Sequence, residues 1–169
     1  IKFGNSPEAG YAYAYYPSDY YVTGGSVWFN PEYDESSGWN DLVTPTVGDW
    51  GYATYIHEIG HALGLDHPGE YNGGDPTYAN DALFQQDSVQ YTIMSYFKGE
   101  DTGADWVASD GHEYDAQTPM LYDILVVQQM YGADMVIRLL DANAQPVRDA
   151  EGNEIQFPNQ WGEQPTAEL

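Results

Sequence analysis

The sequence predicts an α+β domain, with strands near its beginning and two helices after them. Three observations predict it. Short apolar runs bounded by Gly, Pro, Asn and Ser fall within the first thirty or so residues. A capped helical pattern follows over about 47–63. A second helical pattern covers 119–132.

Ile1-Lys2-Phe3 has the form of the end of a buried strand, and residues 5–10 are turn-rich. Tyr11 to Tyr16 alternates large and small side chains, a strand pattern that Pro17 stops. Gly24-Gly25 opens a second apolar strand, Ser26-Val27-Trp28-Phe29, which Asn30-Pro31 closes. Residues 32–43 are polar and irregular. Thr46-Val47-Gly48-Asp49 has the form of a capping box, so a helix is expected from about Val47 to Leu63. Its inward face would include Tyr52, Tyr55, Ile56, Ile59 and Leu63. Residues 68–87, rich in Gly, Asn, Asp and Tyr, read as a long surface loop. Thr118 can cap the second helix with Pro119 at its first position. Leu121, Ile124, Leu125 and Gln128 mark one face of it, and Gly132 ends it. Val136 to Leu140 has the pattern of a further strand, 141–154 carries two turns, and 155–169 reads as a fraying tail. A boundary is expected near Asp134, dividing a domain at 1–133 from an extension of unknown role at 134–169.

Composition narrows the function. The 169 residues suffice for one domain with a core. A net charge of −23 with only four basic residues argues against nucleic acid or an anionic membrane surface as a partner, and suits a secreted protein. The absence of cysteine removes disulfides, thiolate metal ligands and cysteine nucleophiles. No stretch is apolar for long enough to span a bilayer. The chain begins at Ile1 rather than Met and is expected to be a processed or truncated piece of a longer product.

Three of the four histidines lie in one string, His57-Glu58-Ile59-Gly60-His61-Ala62-Leu63-Gly64-Leu65-Asp66-His67. On a helix His57 and His61 are four apart, so both imidazoles leave the same face. Glu58 is one step round, within reach of a water on a metal held by that pair. Gly64 permits the left-handed turn that ends a helix. The turn sends the chain back, and His67 arrives as a third ligand. Three protein ligands with a fourth position open to water are the pattern of a catalytic zinc site. A bare His-Glu-x-x-His string occurs by chance in helices; Gly64 and His67 at this spacing extend it to the metzincin signature. His112 reads as a loop histidine. Asp66 reads as solvent-facing or as a cap of the turn, with a hydrogen bond to a ligand histidine as the alternative. Asp101, Asp105, Asp110, Glu113 and Asp115 offer oxygen ligands for Ca2+, but their spacing matches no defined calcium loop and a solvated surface is the favoured reading.

The histidine string, followed at once by Pro68-Gly69-Glu70-Tyr71-Asn72, resembles the serralysin family of secreted bacterial metzincin proteases. Ile93-Met94-Ser95-Tyr96 resembles that family's Met-turn. The resemblance implies Met94 as a hydrophobic floor beneath the metal, and Tyr96 as a displaceable zinc ligand or transition-state donor. Tyr13 to Pro17 resembles the family's antiparallel edge strand, so Ala12, Tyr13, Ala14 and Tyr15 are implied to pair with an extended substrate. Gly24 to Asn30 resembles the next strand inward, and Gly111-His112 with 119–132 resembles the stretch that closes the catalytic domain. The implied fold is a zincin-like domain. It has a twisted mixed sheet whose antiparallel edge strand packs on the active-site helix, with a second helix on the C-terminal side. The resemblance covers about 1–133. It departs from the family in lacking a helix and two strands ahead of Ile1, and in not continuing into a calcium-binding β-roll. A preceding segment or a partner chain is therefore expected to complete the sheet.

The implied function is that of a secreted zinc endopeptidase of broad specificity acting on polypeptides. Glu58 would be the general base, with zinc and Tyr96 stabilising the oxyanion. No Lys or Arg lies between Lys2 and Lys98, which leaves the metal most of the electrostatic work. Two other readings compete. One is a zinc-bound module that grips peptides without cutting, which the intact Glu58 disfavours; the other is an inactive fragment.

Overall fold

The computed structural model describes residues 1–34, 41–132, 136–138, 145–149, 151–154 and 156–158. Two compact units form, Ile1–Val126 and Val127–Leu169. The boundary expected near Asp134 lies outside the described residues.

The first unit carries a three-stranded sheet of β1 (Lys2–Asn5), β2 (Ala12–Ala14) and β3 (Ser26–Phe29), in the order β1-β3-β2. Strand β1 runs parallel to β3 and β2 antiparallel to it, so the α+β unit has the mixed sheet expected of it. Strand alternation sends Val27 and Phe29 to one face, where they are buried with Leu42 and Ala62. Tyr11, Ala12, Ala14 and Tyr55 pack against this cluster. The Phe29 and Tyr55 rings stack at 3.8 Å, and the Tyr55 hydroxyl donates to the Leu42 carbonyl at 2.8 Å. On the other face Trp28 lies over Gly4, where a Cβ would come within 2.7 Å of the indole. The expectation of a buried strand at Ile1–Phe3 is corrected: Ile1 and Phe3 are 59% and 58% exposed. The reason is positional, since among the described residues β1 has a neighbouring strand on one side only.

Helix α1 spans Trp50–Leu63 and packs on β2 and β3. It starts three residues later than the capping-box reading expects. Gly48 has φ +96°, outside helical space, and the Asp49 N–H donates to the Thr46 carbonyl in a turn instead. Asp49 takes the N-cap position without a side-chain cap bond. The inward face also differs. Gly51, Ala53, Thr54, Glu58, Gly60, His61 and Ala62 are buried, whereas Tyr52, Tyr55, Ile56, Ile59 and Leu63 are only half-buried. Close backbone approach decides this. A Cβ on Gly51 would collide with the Asp41 carbonyl, and one on Gly60 would sit 2.5 Å from Met94 Sδ. At the other end Gly64 is left-handed at φ +103°. Gly64 N–H donates to His61 O and Leu65 N–H to Gly60 O, a Schellman close.

The loop expected at 68–87 contains one short helix, α2 (Tyr78–Asp81). Helix α3 spans Leu121–Tyr131, so it begins two residues beyond Pro119. Asp123 explains the shift: its Oδ2 accepts the Met120 N–H at 2.7 Å, the backward half of a capping box. Gly132, at φ +86° with its N–H on Gln128 O, ends the helix as expected. The apolar face marked by Leu121, Ile124, Leu125 and Gln128 is exposed and Asp123 is buried, because the bonds to Asp123 fix which side turns inward. In the second unit β4 (Val136–Arg138) pairs antiparallel with β5 (Gln156–Pro158). Part of the expected fraying tail is therefore a strand. A turn with Gly152 at φ +87° and an Arg148–Glu154 ion pair at 2.9 Å precede it in the chain. Its partner lies twenty residues away, out of reach of local pattern. Among the described residues no helix is long and apolar enough to cross a membrane.

Candidate metal centre

Helix α1 delivers His57 and His61 one turn apart, and the Schellman turn at Gly64 folds the chain so that His67 meets them. The Nε2 atoms converge: His67 Nε2 lies 3.2 Å from that of His57 and 3.0 Å from that of His61. The three residues offer ligand atoms all within 4.8 Å of one another. Tetrahedral zinc with bonds of about 2.0–2.1 Å sets ligand nitrogens about 3.3 Å apart, so the triad fits this ion. The opposite ring nitrogens face carbonyls. His57 Nδ1 lies 2.7 Å from Ile93 O and His61 Nδ1 lies 2.9 Å from Leu65 O. The nearby Tyr71 backbone acts on His67 in the sense of raising its pKa. A carbonyl only accepts, so Nδ1 carries the hydrogen and Nε2 presents a lone pair. Burial pushes the His57 pKa down to about 3 and lowers those of His61 and His67, which keeps the imidazoles neutral and ready to bind a cation.

Glu58 is buried, and its Oε2 has no hydrogen-bond partner among the described residues. Loss of water raises its pKa to about 7, the range in which a carboxylate can both take and return a proton near neutrality. Tyr96 is partly exposed, with its ring 4.6 Å from that of His67 and 6.0 Å from that of His57. Its hydroxyl accepts the Gly73 N–H at 3.3 Å. Met94 is buried beneath the helix, its sulfur against Gly60.

Strand β2 is an edge strand. Tyr11 O accepts from Asn30 N–H and Tyr15 N–H donates to Ser26 O, so the odd-numbered residues bond toward β3. The backbone groups of Ala12 and Ala14 face the open side. The rings of Tyr13 and Tyr15 meet edge to face at 5.6 Å, and Tyr13 stacks on Trp28 at 6.5 Å. His112 stands apart from the triad's hydrogen bonds and pairs with Asp49 at 3.3 Å. Asp66 is exposed and accepts from the Tyr16 hydroxyl and the His67 N–H, both at 2.8 Å. It thus caps the turn, one of the two roles expected. Among the described residues the acids at 101–115 do not gather three within ligand reach.

Sequence reasoning missed two buried carboxylates behind the site. Asp87 Oδ1 accepts the hydroxyls of Tyr71 and Ser95, each at 2.7 Å, tying the segment after His67 to the Met94 turn. Asp123 accepts the Thr92 hydroxyl at 2.6 Å and the Ile93 N–H at 2.9 Å. Asp123 sits in the first turn of a helix, where an acid is ordinary, so nothing local marks it.

An α+β unit with three imidazoles converging from one helix and its closing turn, and a dry carboxyl beside them, has the geometry of a helix-borne histidine metal site. Comparison with known proteins gives the particular family. The chain is 47% identical over 133 residues to serralysin C of Dickeya chrysanthemi, covering 78% of this chain and 25% of that relative. It is 40% identical over 145 residues to the metalloprotease AprA of Pseudomonas entomophila, covering 82% and 28%. It is 39% identical over 142 residues to a serralysin of Photorhabdus luminescens, covering 82% and 27%. No family model matches. Over about four-fifths of its length the chain is similar to serralysin-type metalloproteases, and it spans about a quarter of the length of the curated relatives it matches.

Proposed function

We propose that this chain carries the catalytic centre of a secreted zinc endopeptidase that cleaves polypeptides with broad specificity. The observation that carries the reading is the convergence of three Nε2 atoms beside the buried carboxyl of Glu58, whose Oε2 has no hydrogen-bond partner among the described residues. His57, His61 and His67 would hold zinc, and Tyr96 would approach the same ion. Bound zinc supplies the Lewis acidity that activates water and polarises a carbonyl. Glu58 takes a proton at its carboxylate from the attacking water and returns it to the departing amine nitrogen. Its burial suits the task, because a carboxyl near pKa 7 holds a proton without trapping it. The Tyr96 hydroxyl donates to the developing oxyanion. Met94 supports the helix from below.

The substrate lies extended along β2. Ala12 and Ala14 supply its backbone bonds, and Tyr13 and Tyr15 flank them. Main-chain pairing of this kind binds with little side-chain choice, which is the physical basis of the broad specificity. The metzincin catalytic domain occupies 1–133, with 134–169 an extension of unknown role. A segment preceding Ile1, or a partner chain, lies against β1 and covers Ile1 and Phe3.

Casein digestion by the zinc-loaded chain, beside E58A and a chelated sample, tests the reading. Cleavage lost in both controls supports it. A parent chain that retains one zinc and leaves casein intact overturns it, as does cleavage that survives E58A.

A further inference from the structure

We propose that Asp123 is a positioning residue for His57, acting through Thr92 and the Ile93–Met94 peptide; the inference rests on the zinc reading above. The bonds run in series. His57 Nδ1–H donates to Ile93 O at 2.7 Å. The N–H of that same peptide unit, belonging to Met94, donates to Thr92 Oγ1 at 3.2 Å. The Thr92 hydroxyl donates in turn to Asp123 Oδ1 at 2.6 Å. Every donor points toward the carboxylate, so each bond polarises the next in the same sense. The other oxygen, Oδ2, is held by the N–H groups of Ile93 at 2.9 Å and Met120 at 2.7 Å, which stops the carboxylate from turning away. Thr92, Ile93, Met94 and Asp123 are all buried, so water does not interrupt the series.

The arrangement singles out one ligand. His61 leans on the Leu65 carbonyl four residues along its own segment, and the backbone that acts on His67, that of Tyr71, is likewise four residues along. His57 leans on a carbonyl thirty-six residues away. Its ring orientation therefore depends on where tertiary structure holds the 92–94 segment, and Asp123 anchors that segment. A carboxylate bonded directly to a ligand histidine fixes its tautomer and raises its donor strength. Here one hydroxyl and one peptide stand between them.

The test compares the full chain with T92V, which keeps the shape and removes the hydroxyl, and T92S, which restores it. Zinc affinity is read by competition with a chromophoric chelator, and the imidazole N–H resonances by NMR. T92V should bind zinc about 10–100-fold more weakly. Its His57 Nδ1–H resonance should move upfield while that of His61 stays, and T92S should recover both. Unchanged affinity with an unmoved His57 resonance in T92V overturns the proposal, as does a T92S variant no better than T92V. Should T92V not fold, the unmutated chain still decides. Its His57 Nδ1–H should be the furthest downfield of the three, and a resonance no different from the others overturns the relay. A parent chain that binds no zinc refutes the zinc reading instead, while the resonances judge the relay separately.

Discussion

Replacing Gly60 with alanine tests whether Met94 is wedged against the helix that carries His57 and His61. The new Cβ would lie 2.5 Å from Met94 Sδ, and 3.4 Å from Met94 Cε and from Leu65 Cδ1. Ordinary contact needs about 3.5 Å, so the sulfur must retreat by about 1 Å. Met94 is 1% exposed and has no solvent to retreat into. Overpacking of this size costs about 1–3 kcal/mol. Alanine in a helix interior recovers about 1 kcal/mol over glycine, which leaves a small net loss. A double-mutant cycle with M94A separates the two effects. M94A alone should cost about 2–5 kcal/mol. In the M94A background G60A should no longer clash, so the coupling between the two should be about 1–3 kcal/mol. Urea unfolding of the four proteins gives that number. A coupling of zero would refute the reasoning, because it would mean that the sulfur moves aside freely and does not brace the helix.

Two further perturbations probe the frame around the site. Burial, with Glu113 and Asp49 nearby, raises the Asp115 pKa from 3.8 to about 6. Between those values the unfolded chain has released this proton and the folded chain keeps it, so the group's contribution to stability falls as pH rises through the window and stays low above it. D115N should therefore be more stable than the parent at neutral pH, with the advantage vanishing at the acid end; a parent–variant difference independent of pH in urea unfolding would contradict this. Y55F removes the bond to the Leu42 carbonyl while leaving the ring on Phe29, and should lower unfolding free energy by about 1 kcal/mol. An unchanged denaturation midpoint would mean that the carbonyl finds another donor.

Much of the centre is legible in the sequence. The histidines, Glu58 and the Gly64 turn lie within eleven residues, and helix geometry converts that spacing directly into a shared face. Strand β3 was equally clear, because Gly-Gly and Asn-Pro bracket it. The helix faces were not. Hydrophobicity pointed to Ile56, Ile59 and Leu63, yet Gly51, Ala53, Gly60 and Ala62 turn inward, since the helix is pressed against the backbone at Asp41 and the side chain at Met94. In α3 one acid outweighed an apolar stripe, because a buried carboxylate accepting three hydrogen bonds cannot be exchanged for a leucine.

By itself the sequence determined which atoms can meet within one helix and its closing turn: His57, His61 and His67 around a point, with Glu58 alongside. Those relations depend on local dihedral angles, and a few residues set them. Tertiary structure alone decided what stands behind the three histidines. Ile93 orients His57, Asp123 anchors Ile93, Asp87 joins Tyr71 to Ser95, and Ala12 and Ala14 are left on the open edge of the sheet. These partners are separated along the chain by up to thirty-six residues, and no local pattern records a pairing that exists only after the chain has closed.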